Sequence, residues 1–151
     1  QFSFQAQENT QAAYLVFGPE GKTLPKNSKK LGVWIYNSDP NNHWLRAQIR
    51  SKTGSKKSNL DLAKQVDWEG WKYVETNLPD DSEQVLERIY LVETDQQKMN
   101  EGFIYLDDLT VTLPLTVEET IPATEPDQSI YSGFEKIRTK QFPFLYSNYR
   151  S

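Results

Sequence analysis

The clearest pattern in the chain lies at Trp44-Leu45-Arg46-Ala47-Gln48-Ile49-Arg50. Leu45, Ala47 and Ile49 fall on one parity and are apolar. Trp44, Arg46, Gln48 and Arg50 fall on the other. A period of two puts alternate side chains on opposite faces of a strand, so this segment predicts a strand with one face in a core. Leu31-Gly32-Val33-Trp34-Ile35-Tyr36 reads the same way, with Leu31, Val33 and Ile35 inward and Trp34 and Tyr36 outward. So does Glu87-Arg88-Ile89-Tyr90-Leu91-Val92, with Ile89 and Leu91 inward and Arg88, Tyr90 and Val92 outward. Further strands are predicted at residues 2–7, 12–17, 59–62, 71–78 and 102–113. Turn-forming residues separate them: Gly18-Pro19-Glu20-Gly21, then Asn37-Ser38-Asp39-Pro40-Asn41-Asn42, then a Lys- and Ser-rich tip at 51–58 around Gly54. Helical spacing is scarce. Roughly eight short strands between turns predict an all-β sandwich or barrel over residues 1–113.

The texture changes at Pro114. Pro114, Pro122 and Pro126, with Glu118, Glu119 and Glu125, predict an acidic, extended linker over 114–130. Residues 131–151 turn aromatic again, with Phe134, Phe142, Phe144, Tyr146 and Tyr149. This segment is expected to add to the sandwich or to dock on a neighbouring copy. The opening Gln1-Phe2-Ser3-Phe4 has no signal-peptide pattern and no Met, and reads as the start of a mature or excised fragment.

Composition narrows the function classes. Aromatics make up 13% of the 151 residues, which predicts a core that relies on rings. A net charge of −4 argues against a general nucleic-acid binder, which needs a basic footprint. The chain has no Cys, which excludes disulfides, thiol catalysis and Cys-based zinc sites. No run of about 18 apolar residues predicts a transmembrane helix. His43 is the only His. It sits at a loop–strand junction and is expected to be exposed. No Gly-x-Ser-x-Gly elbow accompanies it. Acid pairs such as Glu93 and Asp95 have the residue types for glycoside hydrolysis, but such pairs arise by chance among 21 acidic residues. Nothing in the sequence points to catalysis.

Five blocks, in this order, carry a resemblance: Ala12 to Pro19, Lys30 to Tyr36, His43 to Gln48, Asp67 to Val74 and Glu87 to Thr94. Together they resemble the jelly-roll accessory domain attached to bacterial phosphodiester glycosidases of exopolysaccharide and cell-wall metabolism. More broadly, the chain is similar to galactose-binding-like, jelly-roll carbohydrate-binding modules. A late strand in those modules reads aromatic-Ile-Asp-Asp-hydrophobic; here it is Tyr105-Leu106-Asp107-Asp108-Leu109. The resemblance spans residues 10 to 113. It departs at the start, where such modules carry an extra strand with a Phe-Glu pair. Gly133-Phe134-Glu135 has that look, so the tail either supplies the missing strand or opens a further module.

The resemblance implies a concave sheet whose outward side chains form a sugar-binding groove. Trp34, Tyr36, Trp44, Arg46, Gln48, Arg50, Arg88 and Tyr90 share the outward parity of three strands, and make one patch if those strands are neighbours. Aromatic rings can carry the C–H face of a sugar, and Arg and Gln can bond hydroxyls or a carboxylate. The competing reading is that the Trp side chains pack on loops or on the tail while the Arg side chains are merely solvated. Trp71 is expected to anchor the core, and Trp68 is open either way. The resemblance also implies a structural Ca²⁺ held by Asp107 or Asp108. Adjacent carboxylates on a strand point to opposite faces, so only one is a direct ligand unless a bulge intervenes, and calcium needs six to eight oxygens. The alternative is that one of them caps a loop or pairs with a cation. Lys52, Lys56 and Lys57 are expected to form a solvated tip that can also meet an anionic polymer.

The expected function is a non-catalytic module that binds a polysaccharide or cell-wall glycan in an extracellular or cell-surface setting in bacteria. The alternative is a structural or assembly β-sandwich module whose same face binds protein, including the tail of another copy, as a homo-oligomer. A small glycan-active enzyme is the third reading.

Overall fold

The strongly alternating segments all form strands, and their inward residues meet in one core. The computed structural model describes residues 1–6, 9–80 and 83–114, together with the backbone of 137–141. In chain order the strands are β1 (Phe2–Ser3), β2 (Gln11–Val16), β3 (Lys22–Thr23), β4 (Lys30–Asn37), β5 (Trp44–Ser51) and β6 (Lys57–Ala63). Then follow β7 (Gly70–Asn77), β8 (Gln84–Glu93), β9 (Glu101–Gly102), β10 (Ile104–Pro114) and β11 (Ile137–Gln141). The only helical turn among the described residues is a 3-10 turn at Gln96–Lys98. The fold is all-β, and every strand pair is antiparallel.

Two larger sheets carry the core between them. One has the order β2-β8-β5-β6, with β3 also paired to β8; the other has the order β11-β10-β4-β7. A two-stranded ribbon of β1 and β9 completes the set. Leu45, Ala47 and Ile49 of β5 face Leu31, Val33 and Ile35 of β4 across the interior, and all six are buried. Ile89 and Leu91 of β8 and Leu106, Leu109 and Val111 of β10 extend the same cluster. Burial of this kind is the main stabilising term, and truncating Ile35 or Leu45 to Ala would cost about 2–5 kcal/mol.

Strand ends follow the turn chemistry in the sequence. Gly18 and Gly21 both adopt positive φ (75° and 71°) in the turn between β2 and β3. The Asn37–Asn42 loop is held by its own side chains. Asn37 is buried and donates to the Trp68 carbonyl at 2.9 Å, and Asn41 Oδ1 accepts from the His43 amide at 2.9 Å. Lys22–Thr23 form the short β3 just after the Gly18–Gly21 turn, and β10 runs through Pro114, where the linker was expected to begin.

Backbone pairing places Ile137–Gln141 on the free edge of β10, from Pro114↔Ile137 to Thr110↔Gln141. Part of the C-terminal segment therefore makes a ladder with a main sheet. The rest of the expected linker, Gly133-Phe134-Glu135 and the aromatic residues from Phe142 onward lie outside the described residues.

His43 corrects an expectation outright. It is fully buried, not exposed. Its Nδ1 lies 2.7 Å from Glu93 Oε1 and its Nε2 2.6 Å from Asn100 Oδ1. The rings of Phe2 and Phe4 meet it edge-on at 5.6 and 5.2 Å. Polar bonds at both ring nitrogens satisfy a group that would otherwise be costly to bury. His43 thus ties the N-terminal segment to the ends of β5 and β8.

Candidate functional site

The eight outward residues do not share one face. "Outward" has two meanings when two sheets enclose a core, and parity along a strand cannot separate them. Trp34 and Tyr36 belong to β4, in the β11-β10-β4-β7 sheet. Trp44, Arg46, Gln48, Arg50, Arg88 and Tyr90 belong to β5 and β8, in the other. The two groups point away from each other, and the single groove expected from parity is replaced by two surfaces of different chemistry.

On the β5–β8 surface, register pairs Arg46 with Tyr90 and Gln48 with Arg88. It also pairs Arg46 with Asp61, Gln48 with Asn59 and Tyr90 with Tyr14. These neighbours bond one another. Asp61 Oδ1 accepts from Trp44 Nε1 at 2.8 Å and from Arg46 Nε at 3.0 Å. The Arg46 guanidinium lies 4.1 Å from the Trp44 ring centroid. One side of that ring is therefore covered by a cation, where a sugar was expected to stack. Asn59 Oδ1 accepts from Gln48 and from the Tyr90 hydroxyl. Arg50 pairs with Glu87 at 2.9 Å, and Lys57 reaches the same carboxylate at 3.2 Å. Burial raises the Tyr90 phenol above its ordinary value, against an opposing pull from Arg46. A register shift between Gln48 and Ile49 turns Glu87 into this network.

The β4 surface is different. Register sets Tyr36 between Trp71 and Tyr105, and Trp34 between Tyr73 and Asp107. Phe103 adjoins Tyr105, with ring centroids 5.5 Å apart. Tyr36 lies 5.5 Å from Trp71 and 5.7 Å from Tyr105, and Trp34 lies 5.7 Å from Tyr73. Trp34, Tyr36, Trp71, Tyr73 and Tyr105 on β7, β4 and β10, with Phe103 just before β10, thus form an aromatic outer surface. Trp34 is 41% exposed, Trp71 44%, Phe103 42% and Tyr105 44%. Trp71 is therefore part of an exposed surface and not the core anchor expected. It sits on β7, an edge strand whose outward side has no covering layer among the described residues. The rings are tilted against one another by 41° to 64°, so the surface is faceted.

Gly32 holds this surface in shape. A Cβ at Gly32 would overlap the Tyr73 hydroxyl. Without one, Tyr73 lies across the strand and meets the Thr110 hydroxyl at 3.2 Å. Strand alternation marked Trp34 and Tyr36, but Tyr73, Phe103 and Tyr105 were missed as site residues. The signal available was the same parity on their own strands.

The other candidates make contacts within the fold. Trp68 is half-buried and bonds the Ile35 carbonyl, with Lys72 over its ring at 4.9 Å. Glu93 accepts from His43 and from the amides of Thr94 and Asp95, while Asp95 caps the Gln97 amide, so that acid pair is committed to the backbone. Asp107 and Asp108 are both buried at a β-bulge, the register shifting between Asp107 and Thr110, and Asp108 adopts φ 49°. Asp107 Oδ1 accepts from the Asp108 amide. Among the described residues no third His, Cys, Asp or Glu joins them to form a metal-binding group. At the Lys tip, Lys52 pairs with Glu83 and Lys57 with Glu87. The Lys52 hydrogen bond holds Glu83 below the usual carboxylate range.

A cavity of about 300 Å³ opens between the sheets beside β2 and β10, lined by core residues such as Leu15, Leu45, Leu91 and Leu106. No helix among the described residues is long and apolar enough to cross a membrane. No family model, curated protein or solved structure matches this chain.

Proposed function

We propose that the chain is a non-catalytic carbohydrate-binding domain, jelly-roll-like in type, whose aromatic β7–β4–β10 surface holds an attached enzyme or surface protein against a polysaccharide. An extracellular or cell-surface setting goes with that reading. One observation carries it: six aromatic side chains lie side by side on an outer sheet face, and four keep more than two-fifths of their area open to water. Pyranose rings present C–H faces to π-systems, and burying such rings against an aromatic releases apolar area from water. A faceted surface fits successive sugar units that turn relative to one another. An open sheet face competes with solvent for every hydrogen bond, which gives weak binding per sugar unit.

The test is titration of the protein with a panel of soluble glycans and retention on insoluble ones, for wild type and for the Trp71→Ala/Tyr105→Ala double variant. Binding lost in a double variant of unchanged thermal stability supports the reading. Binding unaffected by the double variant, or absent for every glycan, sinks it.

An assembly module is the second reading, and a feature of the same surface favours it. None of its six rings carries a charge, and aromatic-rich, charge-poor patches are typical of protein interfaces. A solution mass above that of one chain, reduced to one chain by the double variant, would replace the glycan reading with this one.

A further inference from the structure

We infer that the opposite face, across β2, β8 and β5, holds a second site that takes a carboxylate-bearing sugar unit, with Arg88 as the anion-binding group. The ligand class rests on the carbohydrate-binding reading; the site does not, since it lies on the other sheet. Charge is the first ground. The ladder face carries Arg46, Arg50, Arg88 and Lys57, against the carboxylates of Asp61 and Glu87. Asp61 is taken by Arg46, and Glu87 by Arg50 and Lys57. Arg88 is left without a carboxylate among the described residues. Within a chain of net charge −4, this is a local positive surface.

Hydrogen bonding is the second ground. Gln48 and Arg88 are register partners. Arg88 Nε has no acceptor, and Gln48 Oε1 has no donor. Both atoms are shut off from water, so what the half-buried Arg88 offers a ligand is the outer edge of its guanidinium. A uronate carboxylate matches that edge. Arg presents its donors in a plane that matches a carboxylate, which a Lys cannot do. Aromatic surface lies beside them. Tyr14 is 54% exposed, its ring 5.2 Å from the Arg88 guanidinium carbon and 5.3 Å from the Tyr90 ring. A sugar seated on Arg88 has Tyr14 as its flank.

The experiment is calorimetric titration of the full chain with a galacturonic-acid pentamer and with a neutral glucose pentamer. Wild type, Arg88→Gln, Arg88→Lys, Lys98→Gln and Trp71→Ala/Tyr105→Ala are compared, each checked for unchanged thermal stability. Expected are binding of the acidic pentamer by wild type and a tenfold or greater loss in Arg88→Gln. Arg88→Lys gives an intermediate loss, and Lys98→Gln gives none. The site is overturned if the acidic pentamer does not bind wild type or binds Arg88→Gln as tightly. It is also overturned if Lys98→Gln, an exposed and distant charge removal, costs as much, because the effect is then general charge. Arg88→Lys binding like wild type removes the planar-fork argument and with it the carboxylate assignment. Failure of the aromatic-surface reading shows separately, as neutral-glycan binding that ignores the double variant.

Discussion

The β6–β5–β8–β2 face and the β7–β4–β10 face come from the same two-residue alternation, yet they treat their outward groups in opposite ways. On the first, Trp44, Arg46, Gln48, Arg50 and Tyr90 bond to Asp61, Asn59 and Glu87, and Arg46 covers the Trp44 ring. On the second, the rings meet one another at their edges and Tyr73 meets Thr110, yet broad areas stay bare. The residue that looks most like a sugar platform in the sequence, Trp44, is thus the more occupied one. Residue type marks what a side chain can do; its cross-strand neighbours decide whether that capacity is already used.

The largest expected effect concerns neither face alone. His43→Leu strips Glu93 Oε1 and Asn100 Oδ1 of their partner inside the protein, and should lower unfolding free energy by about 3 kcal/mol in urea titration. Both faces should lose stability together; a loss of binding at only one face in the folded variant would show that His43 serves that face specifically. Next comes the aromatic double variant Trp71→Ala/Tyr105→Ala. Removing two half-exposed rings should cost about 2 kcal/mol of binding, roughly thirtyfold in affinity, with little change in stability. Asp61→Ala sharpens the contrast from the other side. It releases Trp44 Nε1 and Arg46 together and should destabilise by about 1 kcal/mol, kept small because Asp61 is partly exposed, while leaving aromatic-face binding intact.

The smallest effect is a pH dependence on the polar face. The Tyr90 value is raised in the folded protein, so the unfolded chain gives up this proton first as pH rises. The folded state therefore keeps its full advantage below the ordinary tyrosine value near 10 and loses stability from there up to the raised value. The alkaline fall in melting temperature should be slightly steeper in wild type than in Tyr90→Phe. Equal slopes would mean that the phenol is as well solvated as in the unfolded chain.

Parity within each strand was legible from the sequence, because a one-residue slip would turn Leu45, Ala47 and Ile49 outward all at once. Which strands share a sheet was not, since β4 and β5 are consecutive and similarly patterned but lie on opposite sides of the core. Parity alone therefore joins Trp34 and Trp44 into one groove that the topology divides. His43 was misjudged for a related reason: Glu93 and Asn100, which make its burial tolerable, lie 50 and 57 residues away. Trp usually anchors a core, and the place of Trp71 on an edge strand overrides that habit. How Tyr73 is held is a fact that no single-strand pattern carries, a glycine two residues from its register partner Trp34 on the adjoining strand.

That glycine bears on the entropy of binding. With Gly32 beneath it and Thr110 at its tip, Tyr73 is laid down in one rotamer before any ligand arrives. A ring already fixed has little conformational freedom left to lose on contact, about 0.5–1.5 kcal/mol less to overcome than for a freely turning side chain. Gly32 is no part of the proposed contact surface, yet it fixes one ring of that surface in advance.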